Sequence, residues 1–163
     1  DTLALSNLAR RVELDISDHS LIVDGIDATE KIRSTEVTTN VSIVAANSGV
    51  RTEMRAQQRL WVEERGGGVV EGRDIATVVF TDAILKVFLT ASPLVRAMRR
   101  VAQSGGNVDE IAEQIAKRDH IDSNRVDSPL REHSDALVLD TSDSTIDQVV
   151  DQIHIAYKAR MQQ

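Results

Sequence analysis

Hydrophobic and polar positions alternate along the chain in short, clearly punctuated runs. Leu3, Leu5, Leu8 and Val12 recur at helical spacing, which predicts a helix over 2–11 with one apolar face. Apolar and polar residues alternate over 12–16, turn chemistry fills 17–20, and Leu21-Ile22-Val23 follows. Together they predict a β-hairpin ending near Asp24-Gly25. Thr29 or Ser34 is placed to cap a short helix. Val37, Val41, Val44 and Ala45 predict a helix over 35–46 that Asn47-Ser48-Gly49 breaks. A stronger helix is expected over 50–65, with Val50, Met54, Leu60 and Trp61 inward and Gly66-Gly67-Gly68 ending it.

The second half changes character. Val69-Val70 reads as the start of a short buried strand, and 77–80 as a brief apolar segment. Residues 85–89 read as a strand. Ser92 and Pro93 suit the N-cap and first position of a helix that continues to about Ser104, before the break at Gly105-Gly106. A further helix is expected over 108–119, with Ile111, Ala112, Ile115 and Ala116 on one face, and 120–136 is polar and irregular. Leu137-Val138-Leu139 is the last expected strand. The closing helix spans 145–161, with Ile146, Val149, Val150, Ile153 and Tyr157 spaced to pack. Strands at 69–71, 85–89 and 137–139 alternating with helices predict an α/β fold with a parallel sheet. Segments 12–65 and about 94–131 are the expected mobile regions, the latter an arginine-rich helical hairpin.

Composition narrows the function. The 163 residues carry 19 basic and 26 acidic side chains, a net charge of −7. That balance argues against a protein whose main task is gripping a nucleic-acid backbone. There is no cysteine, which excludes disulfides, thiol catalysis and cysteine metal sites. No apolar run approaches the length of a membrane span, and Asp1-Thr2-Leu3-Ala4 has no leader-like character. The expectation is a soluble, cytoplasmic protein with neither a membrane nor a nucleic-acid partner. Fifteen of the basic residues are arginine, whose planar donor fork suits phosphate and carboxylate. Recognition of a small anion and a plain bias toward arginine both account for this.

Three constellations could carry chemistry. Glu71-Gly72-Arg73-Asp74 follows an expected strand, at the end where α/β sheets bind ligands. A surface turn with an incidental ion pair is the plainer reading. Arg118, Asp122 and Arg125, at i, i+4 and i+7, would share one helix face. They could hold a nucleotide or form a salt-bridged helix end. Arg96, Arg99 and Arg100 form a basic helix face in which the like charges of Arg96 and Arg100 would be eased by an anion. The four histidines show no metal spacing, and no Gly-Lys-[Ser/Thr] phosphate loop occurs.

Three separated motifs then carry a resemblance. They are Val70-Glu71-Gly72-Arg73-Asp74-Ile75-Ala76-Thr77-Val78-Val79-Phe80 with 85–92, Lys117-Arg118-Asp119-His120-Ile121-Asp122-Ser123-Asn124-Arg125 with Pro129-Leu130, and Asp135-Ala136-Leu137-Val138-Leu139-Asp140-Thr141-Ser142. In order and spacing the chain resembles bacterial cytidylate kinases, of the nucleoside monophosphate kinase class, from about residue 10 onward. The resemblance implies a P-loop-kinase-like parallel sheet with flanking helices, a CMP-binding insertion and a helical lid. It divides the chain into a CMP-binding insertion over 1–65, core strands over 66–93, a lid region over 94–131 and a C-terminal core strand and helix over 132–163. It implies transfer of the γ-phosphate of ATP, with Mg²⁺, to CMP or dCMP.

By matching positions, Ser42, Arg51, Asp74 and Arg125 would hold the cytosine and Arg73 the acceptor phosphate. Arg118 and Asp122 would contact the pentose and nearby phosphates, and Arg99 would reach the ATP phosphates. Arg73, Arg99 and Arg118 are thus the expected catalytic residues, with no protein-held metal site. The family's opening strand, its Gly-rich phosphate loop and the arginine stretch after it have no counterpart in the resemblance. Ala76, Thr81 and Ile84 also depart from the family's usual Gly and Pro. The expectation is a kinase sequence without its first central strand, with little or no activity alone. The alternatives are a non-catalytic CMP-binding module and a homo-oligomer joined through open sheet edges.

Overall fold

A computed structural model describes residues 2–17, 19–124 and 126–162, apart from the side chain of Ser42. The chain forms two compact units, Asp1–Gly68 and Val69–Gln163, each described here by itself.

In the first unit, α1 (Thr2–Arg11) packs on α3 (Ser48–Glu64). The contact is made by small and polar residues. Ala9 is buried, whereas Leu3 and Leu8 point outward, contrary to the expected leucine face. The reason is the closeness of the two helices at Gly49, where a Cβ would stand 2.1 Å from Ser6 Oγ. Asn47 does more than interrupt the chain. Its Oδ1 accepts from the Val50 N–H at 3.1 Å and caps α3, Ser6 Oγ donates to the same oxygen at 3.1 Å, and its Nδ2 donates to the Thr2 carbonyl at 3.0 Å. Leu60, expected inward, is more than half exposed, while the Arg65 guanidinium lies 4.3 Å above the Trp61 ring.

The hairpin expected at 12–25 gains a third strand. β1 (Leu14–Ile16), β2 (Leu21–Val23) and β3 (Ile26–Asp27) form an antiparallel sheet in that order. Asp24 and Gly25 both take positive φ, 49° and 77°, the two-residue turn that matches strand twist. Ser34 Oγ accepts from Val37 N–H at 3.3 Å at the start of α2 (Thr35–Ala45), while Thr29 accepts from Leu21 N–H instead.

In the second unit the parallel sheet has two strands, β4 (Val87–Thr90) and β5 (Leu137–Asp140), with Val87 opposite Leu137. The expected strand at 69–71 is absent. Val69 is fully exposed, and no described strand lies alongside to complete a ladder. The apolar run after it coils into a π turn, Ile75–Val79, in which Phe80 N–H donates to the Ile75 carbonyl at 2.7 Å and Val79 is buried.

α4 (Pro93–Ser104) starts as expected, with Ser92 Oγ accepting from Val95 N–H and Gly105 ending it at φ 72°. α5 (Val108–Ser123) is capped by Asn107 and runs four residues beyond the expected end, so Asp122 is helical. Ala97 is completely buried in this unit, on the α4 helix that packs against α5. α6 (Ile146–Met161) opens on a capping box of Thr145 and Gln148. Its half-buried positions are Val149, Ile153 and Ala156, whereas Ile146, Val150 and Tyr157, expected to pack, are exposed. Among the described residues no helix is long and apolar enough to cross a membrane.

Candidate active site

The second unit gathers its arginines and aspartates where the segment before the π turn meets α4 and α5. Gly72 allows this segment to fold tightly, since a Cβ there would come 2.7 Å from Ile75 Cγ1. Asp74 begins the π turn, its carbonyl accepting from Val78 and Val79 N–H. One residue earlier, Arg73 Nη1 donates to Asp119 Oδ1 at 2.8 Å and stands 2.8 Å from Asp122 Oδ2. Arg118 Nε lies 3.8 Å from the same Asp122 oxygen, one helical turn away on α5. From α4, Arg96 grips Asp119 with both terminal nitrogens, at 2.5 Å to Oδ2 and 3.2 Å to Oδ1.

Three guanidiniums therefore converge on two carboxylates. Asp122 is nearly buried, Asp119 about a quarter exposed, and Arg118 half exposed. Burial is the largest single influence on Asp119 and pushes its pKa up. The hydrogen bonds and charges of Arg96 and then Arg73 outweigh it and hold the carboxyl below its ordinary value. Asp119 also supplies the anion beside Arg96 that the like charge of Arg100 called for.

Of the residues expected from sequence, Arg73, Arg118 and Asp122 come together. Arg99 engages another place: Nη1 donates to Thr141 Oγ1 at 3.0 Å and Nη2 to the Thr141 carbonyl at 2.5 Å. Arg51 sits on α3 in the first unit and donates to the Ala45 carbonyl at 3.3 Å. Arg125 and the side chain of Ser42 lie outside the described residues. Sequence reasoning gives Asp119 no role and reads Arg96 only as part of the basic face of α4 that an anion would ease. A signal for Asp119 existed, because it continues the Ile111, Ile115 stripe of α5 and so puts a carboxylate on the helix's packed face.

The sequence model of the cytidylate kinase family matches residues 1–159. The chain belongs to the cytidylate kinase family. It is 45% identical to the cytidylate kinase of Desulforamulus reducens over 161 residues, covering 94% of this chain and 72% of that protein. The cytidylate kinase of Streptomyces avermitilis is 45% identical over 157 residues, covering 93% and 68%. A bifunctional pantoate ligase/cytidylate kinase of Prochlorococcus marinus is also 45% identical, over 93% of this chain and 32% of its own length. Cytidylate kinases are phosphotransferases, and phosphoryl transfer demands that phosphates be held and neutralised. The donor set suits that demand: planar guanidiniums clustered beside ionised carboxylates can receive an anion and exchange partners without creating an unpaired buried charge.

Proposed function

We propose that this member of the cytidylate kinase family binds CMP or dCMP and serves its ATP-dependent phosphorylation to CDP or dCDP in the cytoplasm, on a P-loop-kinase-like fold. The observation that carries the reading is Arg73. It spends only Nη1 on Asp119 and Asp122, and its Nε and Nη2 have no partner among the described residues. A guanidinium fixed by one nitrogen with two others open is suited to a phosphate monoester. In this proposal Arg73 holds the acceptor phosphate, and Arg118 and Asp122 hold the pentose and nearby phosphates. Ser42, Arg51, Asp74 and Arg125 read the cytosine, and Arg99 exchanges its Thr141 contacts for the phosphates of ATP. Residues 1–65 act as the CMP-binding insertion and 94–131 as the lid.

ATP with Mg²⁺ supplies the transferred phosphoryl group. In this reading Mg²⁺ arrives with the nucleotide, whose phosphates supply much of its coordination. The chain's own part is to bind and orient CMP and spread positive charge over the acceptor phosphate, which lowers the barrier to an in-line transfer.

Two measurements test this. Calorimetric titration with CMP, and with AMP as control, should show selective CMP binding. CMP-dependent ADP formation tests transfer by the same chain. Selective binding without transfer fits the expectation of little or no activity alone as well as a non-catalytic CMP-binding module, and robust transfer would overturn both. No CMP binding by the folded chain would overturn the proposal. Association through open sheet edges is a separate alternative, and a monodisperse monomer mass by light scattering would count against it.

A further inference from the structure

Asp119 accepts three hydrogen bonds from two arginines of the cluster, yet the proposed CMP site gives it no task. Arg96 donates to it through both terminal nitrogens, at 2.5 and 3.2 Å, and Arg73 donates to it through one, at 2.8 Å. The three residues come from three places: α4, α5 and the segment before the π turn. The first two belong to the region proposed as the lid, the third to the core. Arg96 has both prongs of its fork on Asp119, whereas Arg73 keeps Nε and Nη2 without a partner among the described residues. The two arginines thus have different positions in the cluster. Arg96 serves the carboxylate, and the carboxylate serves Arg73.

We infer that the Arg96–Asp119 pair is a positioning device for Arg73, setting its guanidinium to receive a phosphate monoester and linking that setting to the α4–α5 hairpin. The inference rests on the acceptor-phosphate role proposed for Arg73. A competing effect must be separated from it, because a carboxylate close to an incoming phosphate also repels it. The two-pronged contact makes Arg96 and Asp119 a nearly neutral pair, so its field at the phosphate is weak beside its direct grip on Arg73. Arg73 depends on that grip because its other anchor, Asp122, is shared with Arg118.

The test removes the grip without changing the charge. In a double variant carrying Asp119→Asn and Arg96→Gln, the net charge equals that of the parent. CMP and cytidine are titrated into both chains, and exchange of the Arg73 Nε–H is followed by ¹⁵N NMR. The expected result is a roughly tenfold loss of CMP affinity, the scale of one weakened hydrogen bond to a charged group. Cytidine affinity should be unchanged and Arg73 Nε–H exchange faster. CMP affinity equal to the parent's overturns the inference. If the double variant does not fold, Arg96→Lys keeps the charge and loses the two-pronged grip. It should shift CMP affinity and Arg73 exchange in the same direction, and no shift in either would overturn the inference. A parent chain that binds CMP no better than cytidine would sink the acceptor-phosphate reading instead. The exchange rate would then decide the grip alone: faster in the variant upholds it, unchanged refutes it.

Discussion

Arg99 on α4 is tied to Thr141 at the end of β5, donating to both its hydroxyl and its carbonyl oxygen, at 3.0 and 2.5 Å. Thr141 Oγ1 in turn donates to the Thr90 carbonyl at 3.0 Å, at the end of the neighbouring strand. One buried hydroxyl thus joins β4, β5 and α4. Thr141→Val keeps the shape and removes the hydroxyl, leaving the Thr90 carbonyl and one Arg99 nitrogen without that partner. We expect a loss of about 1 kcal/mol, the usual net worth of a hydrogen bond, because the Thr90 carbonyl keeps the Thr141 N–H and Arg99 keeps the Thr141 carbonyl. Urea unfolding measures it, and an unchanged midpoint would show that the hydroxyl is not a structural link.

The arginine cluster should give the chain an acid-sensitive region. Burial raises the Asp119 pKa, but Arg96 and Arg73 outweigh it and leave the folded-state value below the ordinary 3.8. The unfolded chain then takes up this proton at a higher pH than the folded one. The stability from Asp119 is accordingly complete above the unfolded value near 3.8 and is lost as pH falls through the depressed folded value. Urea midpoints of the parent and of Asp119→Asn should differ by a constant amount from pH 7 to about 5 and converge in acid below 3.8. A difference that grows as the solution is acidified would contradict this assignment.

The close approach of α1 and α3 makes Gly49 hard to replace. A Cβ at this position would meet Ser6 Oγ at 2.1 Å and Ser6 Cβ at 2.7 Å. Gly49→Ala should therefore destabilise the first unit by about 1–3 kcal/mol through overpacking, exceeding the gain of roughly 1 kcal/mol in helix propensity. Adding Ser6→Ala should not restore stability, because the 2.7 Å contact with Cβ remains. Thermal unfolding of the two variants decides it, and a full rescue by Ser6→Ala would place the clash at the hydroxyl alone.

The parts of this fold that are legible in the sequence are those governed by local chemistry. Ser92 with Pro93 sets a helix start and Gly105 a helix end, because each acts on backbone groups a few residues away. Val69-Val70 misleads because a strand depends on a partner elsewhere in the chain, whereas apolarity is a property of the residues themselves. Leu3, Leu8 and Leu60 mislead because α1 and α3 meet through Ala9, Ser6 and Gly49, where small size allows closeness and leucine would prevent it. At the site, Arg73, Arg118 and Asp122 are legible as a motif. Asp119 is marked in the sequence only by its place on the Ile111, Ile115 stripe, and its partners become visible when Arg73 and Arg96, separated from it by 46 and 23 residues, fold onto it.

Lys86 and Asp135 offer an asymmetric test of a buried charge. The Lys86 side chain is only 6% exposed, and its Nζ lies 2.9 Å from Asp135 Oδ2, whereas Asp135 is half exposed and also meets His133 Nδ1. The hydrogen bond from Lys86 is the main cause holding the Asp135 carboxyl below its ordinary pKa. Removing Lys86 leaves a carboxylate that water can reach. Removing Asp135 leaves an ammonium that water cannot, and an uncompensated buried charge is the more costly of the two. Lys86→Met should shift the urea midpoint little, since the alkyl stem is replaced by a side chain of similar length. Asp135→Ala should lower it clearly at neutral pH, and the pair Lys86→Met with Asp135→Ala should recover most of that loss. A double variant as unstable as Asp135→Ala alone would show that Asp135 acts through His133 or the backbone before β5, and not as the counter-ion of Lys86.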